Sequence, residues 1–208
     1  MAKLLHIIAS PRAESYSTQA AEKFIAEVLK TARGVELETL DLTKANLPAF
    51  DAPSAKAKYA IMSGAAPQGP AEKAWARVKE IIDHFKSASA YVISSPMWNF
   101  GVPYYLKQYI DIIAQPGMSF GYSPEKGYEG LITGRPAVLF LARGSEYPPG
   151  AAMDFQRPYL EFILKFIGIK DIRTFLIEPT LMAGPDTANA KLRDVINDAA
   201  SYAKTFMR

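Results

Sequence analysis

The chain has 208 residues, 49% hydrophobic and 22% charged; at 22.9 kDa, a compact fold leaves roughly 9,600 Å² exposed and buries about 70% of the extended chain without metal or disulfide staples. That composition excludes a disordered chain, and the lack of cysteine excludes thiol nucleophiles, thiolate metal sites and disulfides. Twenty-four basic and 21 acidic residues leave a net charge of +3 with no run of three lysines or arginines, which argues against nucleic acid as a partner.

Met1-Ala2-Lys3-Leu4-Leu5 enters a short apolar run, Leu4 to Ala9, in place of a signal-peptide core and cleavage site. No apolar run approaches the roughly 18 residues of a membrane helix, so a cytoplasmic protein that meets no membrane is expected. Ala21, Phe24, Ile25, Val28, Leu29 and Ala32 recur with the period of a helix face. Val35 to Leu40 alternates with period two, as a half-covered strand near a sheet edge does. Trp75, Val78, Ile82 and Phe85 stripe a second helix, Ala90 to Ser95 reads as a strand buried on both faces, and Tyr105, Leu106, Tyr109, Ile110 and Ile113 form a third helix opened by Pro103. Pro136 to Leu141 is a fourth strand. Leu160, Ile163, Leu164 and Ile167 mark a helix closed by Gly168. Ile172 to Ile177 is a fifth strand, and Leu192 to Phe206 carries the face of a terminal helix.

Five strand-helix alternations predict one α/β domain over residues 1–208. Its sheet is doubly wound, parallel and five-stranded, in the flavodoxin-like order 2-1-3-4-5 with helices on both faces. A nucleotide-binding half of a dinucleotide fold is the rival. Two segments are too long for plain connections: Leu47 to Pro70 is expected to wrap the surface, and Gln115 to Arg135 to form a lid.

In such a sheet, ligands bind beyond the carboxyl ends of the strands where strand order reverses, so the loops after Ala9, Ser95 and Leu141 matter. The first runs Ser10-Pro11-Arg12-Ala13-Glu14-Ser15-Tyr16-Ser17-Thr18 into a helix. Its hydroxyls lie where free N–H groups and the helix dipole favour an anion; the alternative is plain N-capping. Neither G-x-G-x-x-G nor a P-loop is present. The second, Ser95-Pro96-Met97-Trp98-Asn99-Phe100-Gly101-Val102-Pro103, offers flat apolar surface beside an amide, suited to a planar heteroaromatic ring, or else plugs the core. The third is Ala142-Arg143-Gly144-Ser145-Glu146-Tyr147, where Gly144 permits close approach and Arg143 or an amide can stabilise charge on a ring edge. His6 and His84 read as a satisfied core residue and a surface or packing residue. No zinc cluster or Ser-His-acid set is apparent.

These loops, together with Gly117-Met118-Ser119-Phe120-Gly121-Tyr122 and Glu129-Gly130-Leu131 in the long insert, resemble the FMN-dependent NADH-azoreductase family of flavodoxin-like quinone and azo-dye reductases. The likeness spans nearly the whole chain, and Pro96-Met97-Trp98-Asn99-Phe100 is its most specific part. It implies that Ser10, Ser15, Tyr16 and Ser17 hold the FMN phosphate and that Pro96, Met97, Trp98, Asn99 and Phe100 lie along the isoalloxazine. Ala142, Arg143, Gly144 and Ser145 would border its pyrimidine side. Trp98, Phe120, Tyr122 and Tyr147 would meet the substrate. The resemblance further implies a homodimer with sites at the interface, and NADH or NADPH as donor of a hydride to flavin before a quinone or azo acceptor takes two electrons. Arg12, Arg143 and Lys126 are the cations considered for a 2′-phosphate. The alternatives are a flavodoxin-like electron carrier and a non-catalytic FMN-binding module.

Overall fold

A computed structural model describes residues 1–207, so that Arg208, the last residue of the expected domain, lies outside it. The first strand, β1 (Ala2–Ile8), turns at Ser10–Glu14 into α1 (Tyr16–Thr31), which returns to β2 (Val35–Asp41). Then come α2 (Ala52–Met62), α3 (Pro70–Ser87), β3 (Ala90–Pro96) and α4 (Tyr104–Ile113). A hairpin of β4 (Phe120–Ser123) and β5 (Gly127–Gly130) precedes β6 (Ala137–Ala142), α5 (Arg157–Phe166), β7 (Ile172–Ile177) and α6 (Gly184–Phe206).

The main sheet is parallel, with order β2-β1-β3-β6-β7. With the hairpin strands set aside, this is the expected 2-1-3-4-5. β3 and β6 sit in the middle and are apolar on both sides because helices cover both faces. On one face α1 and α6 pack through Phe24, Phe140, Phe175 and Phe206; on the other, α3, α4 and α5 pack through Trp75, Phe85, Tyr91, Tyr109 and Leu160. β2 is one of the two edge strands, as its alternation suggests, yet Leu37 remains exposed and Glu38 carries the contacts, to Lys3 and His84.

Both long segments hold structure that periodicity does not reveal. In Leu47–Pro70 the helix α2 is started by Asp51, whose side chain accepts from Ser54 N at 3.1 Å; its apolar residues do not line one face, which is why no stripe marks it. In Gln115–Arg135 the β4–β5 hairpin is antiparallel and forms a second, two-stranded sheet in place of a lid over the crevice. Gly130 and Gly168 meet backbone to backbone there: a Cβ on Gly130 would stand 2.2 Å from Gly168 N, and Gly168 adopts φ +111°. That close approach fixes the hairpin at the C-terminal end of α5, beside Phe166.

Candidate functional site

The three loops named from the sequence leave the sheet at the carboxyl ends of β1, β3 and β6, which are adjacent strands. Ser10, Ser15 and Ser17 are buried around the start of α1, while Arg12 is exposed. Ser15 is the N-cap, but its hydroxyl sits 3.5 Å from Thr18 N, a long bond, and 3.0 Å from Ser17 Oγ. Thr18 Oγ1 is buried without a hydrogen-bond partner. Among the described residues, Tyr16 N and Ser17 N donate to no protein acceptor, and the first turn of α1 carries no acidic residue. Buried donors left unpaired are costly, and a helix N-terminus with free amides and no carboxylate of its own attracts an anion. Capping accounts for Ser15, Ser10 Oγ accepts from Arg12 N at 3.4 Å and Ser17 Oγ pairs with Ser15, which leaves the Thr18 hydroxyl without a partner. Thr18 was not singled out from the sequence; its signal is that it occupies the first turn of α1.

The β3 exit is a tight turn. Trp98 and Gly101 exchange both backbone hydrogen bonds at 3.0 Å, and the two residues between them, Asn99 and Phe100, have φ of 47° and 69°. Positive φ at both central positions is the mark of a type I′ turn, for which Asn-Gly is the favoured pair. Asn tolerates this region; Phe at the second position is strained by roughly 1–2 kcal/mol. In this turn Phe100 stands outside the core, 47% exposed, and is not a core plug. Trp98 is half-buried against Tyr104 and Tyr105. With Asn99, Phe50 and Lys107 it also lines a groove of about 680 Å³ between this turn and α4. Met97 N donates to Ala142 O at 2.8 Å, tying the β3 exit to that of β6.

The β6 exit departs from expectation at Arg143. Its side chain is fully buried and bound on every side: Nη2 to Asp154 Oδ2 at 2.9 Å, Nη1 to Glu178 Oε2 at 3.3 Å, and Nε to Gln156 Oε1 at 3.2 Å. The ring of Tyr147 lies against the guanidinium, 5.6 Å from centroid to Cζ, and Tyr147 N donates to Glu178. Burial raises the pKa of Glu178 despite the opposing pull of Arg143. Arg143 is therefore an internal post. Its guanidinium has no free edge for a ring or a 2′-phosphate, and a charge this well buried requires these partners. What the loop offers instead is backbone: among the described residues, Gly144 N and Ser145 N donate to no protein acceptor, while Gly144 O takes Leu181 N and Met182 N.

The remaining candidates lie elsewhere within one chain. Tyr147 borders a separate cavity of about 520 Å³ with Glu146, Pro148, Arg157 and Glu178. Phe120 and Tyr122 belong to the hairpin, in ring contact with Tyr128 and Phe166, and Lys126 lies at its turn. This is the end of α5 next to the start of β7, opposite the strand exits. His6 is buried, bonded to Ser94 Oγ at 3.0 Å, and burial lowers its pKa to about 4. His84 pairs with Glu38 at the sheet edge. Both match the reading of structural histidines. Sequence reasoning missed Asp154, Gln156 and Glu178, which approach Arg143 only through folding.

Residues 2–203 match the model of a family described by its flavodoxin-like fold. An FMN-dependent NADH:quinone oxidoreductase of Nitratidesulfovibrio vulgaris is 47% identical over 99% of this chain and 100% of its own length. One of Desulfotalea psychrophila is 45% identical over 87% of each. Among solved structures, an azoreductase of Bacillus anthracis superposes with a TM-score of 0.90 at 28% identity, covering 99% of this chain and 100% of that one. An FMN-dependent NADH-azoreductase of Bacillus anthracis in complex with FMN gives 0.84 at 26%, covering 98% and 100%. The chain belongs to the flavodoxin-like family and, within it, to the FMN-dependent NADH:quinone oxidoreductases and azoreductases.

Proposed function

We propose that this protein is an FMN-dependent oxidoreductase that uses NADH to reduce quinones and azo compounds. The observation that carries the reading is the buried hydroxyl and amide set at the acid-free N-terminus of α1, one strand away from the strained Trp98–Gly101 turn. A phosphate tail and a flat ring on one ligand match those two features. When bound, FMN supplies the redox chemistry, taking two electrons from NADH and giving them to the acceptor.

The chain's own residues bind and orient. Ser10, Ser15, Ser17 and Thr18 with the first amides of α1 hold the phosphate. Pro96, Met97, Trp98, Asn99 and Phe100 form the ledge for the ring, and the free amides of Gly144 and Ser145 meet its polar edge. Ala142 and Arg143 support that loop from within the fold. No side-chain acid is assigned, since His6 is buried and His84 is spent on Glu38; protons come from water. Of the three cations considered for a 2′-phosphate, Arg143 is neutralised by Asp154 and Glu178 and Lys126 lies at the hairpin turn, which leaves Arg12.

A homodimer completes the proposal. The isolated chain exposes 10,994 Å², about 1,400 Å² more than a compact monomer of this mass. Phe155, Phe162, Tyr122 and Tyr128 stand exposed on and around α5. Phe120 and Tyr122, remote from the crevice of their own chain, serve a ring bound by the second copy. The remaining parts of the reading are one domain over residues 1–208 and the cytoplasm, where NADH is abundant, as compartment. Purified protein should be yellow, bleach with NADH under anaerobic conditions and regain colour with a benzoquinone. A colourless protein that takes up no FMN overturns the proposal. Bleaching only through a partner reductase would indicate an electron carrier. Light scattering at twice the chain mass tests the dimer.

A further inference from the structure

We infer that Gln156, which touches neither ring nor phosphate, is a positioning residue that sets the spacing of the two ring-binding loops; the inference rests on the flavin reading above. Gln156 is entirely buried. Its Oε1 accepts from Arg143 Nε at 3.2 Å, and its Nε2 donates to Ser95 O at 3.4 Å. One side chain thus joins the ends of β3 and β6, one residue before the ledge and one before Gly144. The segment that carries it makes a second attachment, Phe155 N to Phe100 O at 3.0 Å, which reaches the strained turn itself. Asp154 holds the segment at its other side. Its Oδ1 accepts from Gln156 N and Arg157 N at 3.1 Å, and its Oδ2 takes Arg143. The two crevice loops are therefore clasped by residues 154–156, which directly precede α5.

A clasp of this kind acts through other groups. The ladder and the bond from Met97 N to Ala142 O hold the two strand ends as backbone; Gln156 adds a side-chain link from Ser95 to Arg143, the first residue past that ladder, and small displacements at a ring-binding surface alter stacking and polar contacts steeply. Gln is suited because one amide accepts from the guanidinium and donates to the carbonyl at the same time. Glu would keep the first link and replace the second with repulsion between oxygens. Met would keep the volume and remove both.

Gln156→Met and Gln156→Glu, prepared as full-length holoprotein and stripped of FMN, separate this role from simple support. The measurements are FMN dissociation constant, absorption spectrum and midpoint potential of bound FMN, and melting temperature of the apoprotein. Both variants should bind FMN about tenfold more weakly, with a shifted flavin band and potential. In Gln156→Glu a third carboxylate joins Asp154 and Glu178 around one guanidinium, so its melting temperature should fall as well; the discriminating readout is the spectrum and potential at saturating FMN, which should stay shifted in folded holoprotein of both variants. Unchanged spectrum, potential and affinity in a folded variant overturn the inference. So does a loss of affinity in Gln156→Met alone, tracking its melting temperature, with Gln156→Glu indistinguishable from wild type. If wild-type protein itself takes up no FMN, it is the flavin reading that fails, and the two outcomes cannot be confused.

Discussion

Replacing Phe100 by Gly and, separately, by Ala isolates the strain in the β3 turn. Both substitutions remove the same ring, so their difference reports only the backbone. At an ordinary position Gly is the worse of the two by roughly 0.5–1 kcal/mol, because it loses more freedom on folding. At φ +69° Ala carries about 1–2 kcal/mol of left-handed strain that Gly escapes. The two terms leave Gly ahead by roughly 0.5–1 kcal/mol, inverting the usual order. For a chain of this length 1 kcal/mol moves the melting temperature by about 2–4 °C, so the apo Phe100→Gly protein should melt about 2 °C above apo Phe100→Ala in paired calorimetric scans. Both should bind FMN more weakly than wild type, since neither presents the ring. An Ala variant equal to or more stable than the Gly variant would refute the claim that this turn stores strain, and with it the argument that Phe100 is held outward for a ligand.

Arg143→Met should destabilise the protein by up to about 3–5 kcal/mol, because it leaves the largely buried Asp154 and Glu178 carboxylates without their cation; urea titration at neutral pH checks this. Ser17→Ala should lower FMN affinity at least several-fold while changing apoprotein stability by less than about 1 kcal/mol, as read by fluorescence titration and melting. His6 gives a pH dependence with a definite sign. Its pKa falls from 6.5 to about 4 on folding, so its contribution is full above pH 6.5 and is lost as pH falls toward 4. The linked loss approaches about 3 kcal/mol, and His6→Gln should flatten that part of the stability profile between pH 7 and 4.5, leaving flavin reduction by NADH nearly intact.

The sheet was legible because its central strands are buried on both faces and therefore appear as apolar runs: Ala90–Ser95 covers all but the last residue of β3, and Pro136–Leu141 overlaps β6 with its start one residue early. The edge strand β7 matches Ile172–Ile177 end to end although Arg173 and Thr174 interrupt its apolar residues. The helix α2 was not, since it starts on an Asp51 cap and lacks an apolar stripe. The hairpin was hidden for another reason: its strands are four residues each and owe their place to the contact between Gly130 and Gly168, 38 positions apart. In the candidate site, the buried hydroxyls around the start of α1 could be named because Ser10, Ser15 and Ser17 fall close together in one stretch of chain. Arg143 could not. A guanidinium after a strand looks available until Asp154, Gln156 and Glu178 are seen around it, and nothing local in Ala142-Arg143-Gly144 announces partners 11, 13 and 35 residues away.

The burial of Arg143 also constrains how the crevice treats charge. With that guanidinium neutralised by two carboxylates and both histidines occupied, the donors left at the β3 and β6 exits are amides: Gly144 N, Ser145 N and the side chain of Asn99. Amides do not titrate, and held by a sheet they need no reorganisation when charge develops beside them. A site built this way should hold its ligand's ring electrostatics nearly constant from pH 6 to 9, so that the midpoint potential of bound FMN follows the slope set by its own protons. A further inflection in that plot would require a titrating side chain at the ring and would contradict the geometry of Arg143.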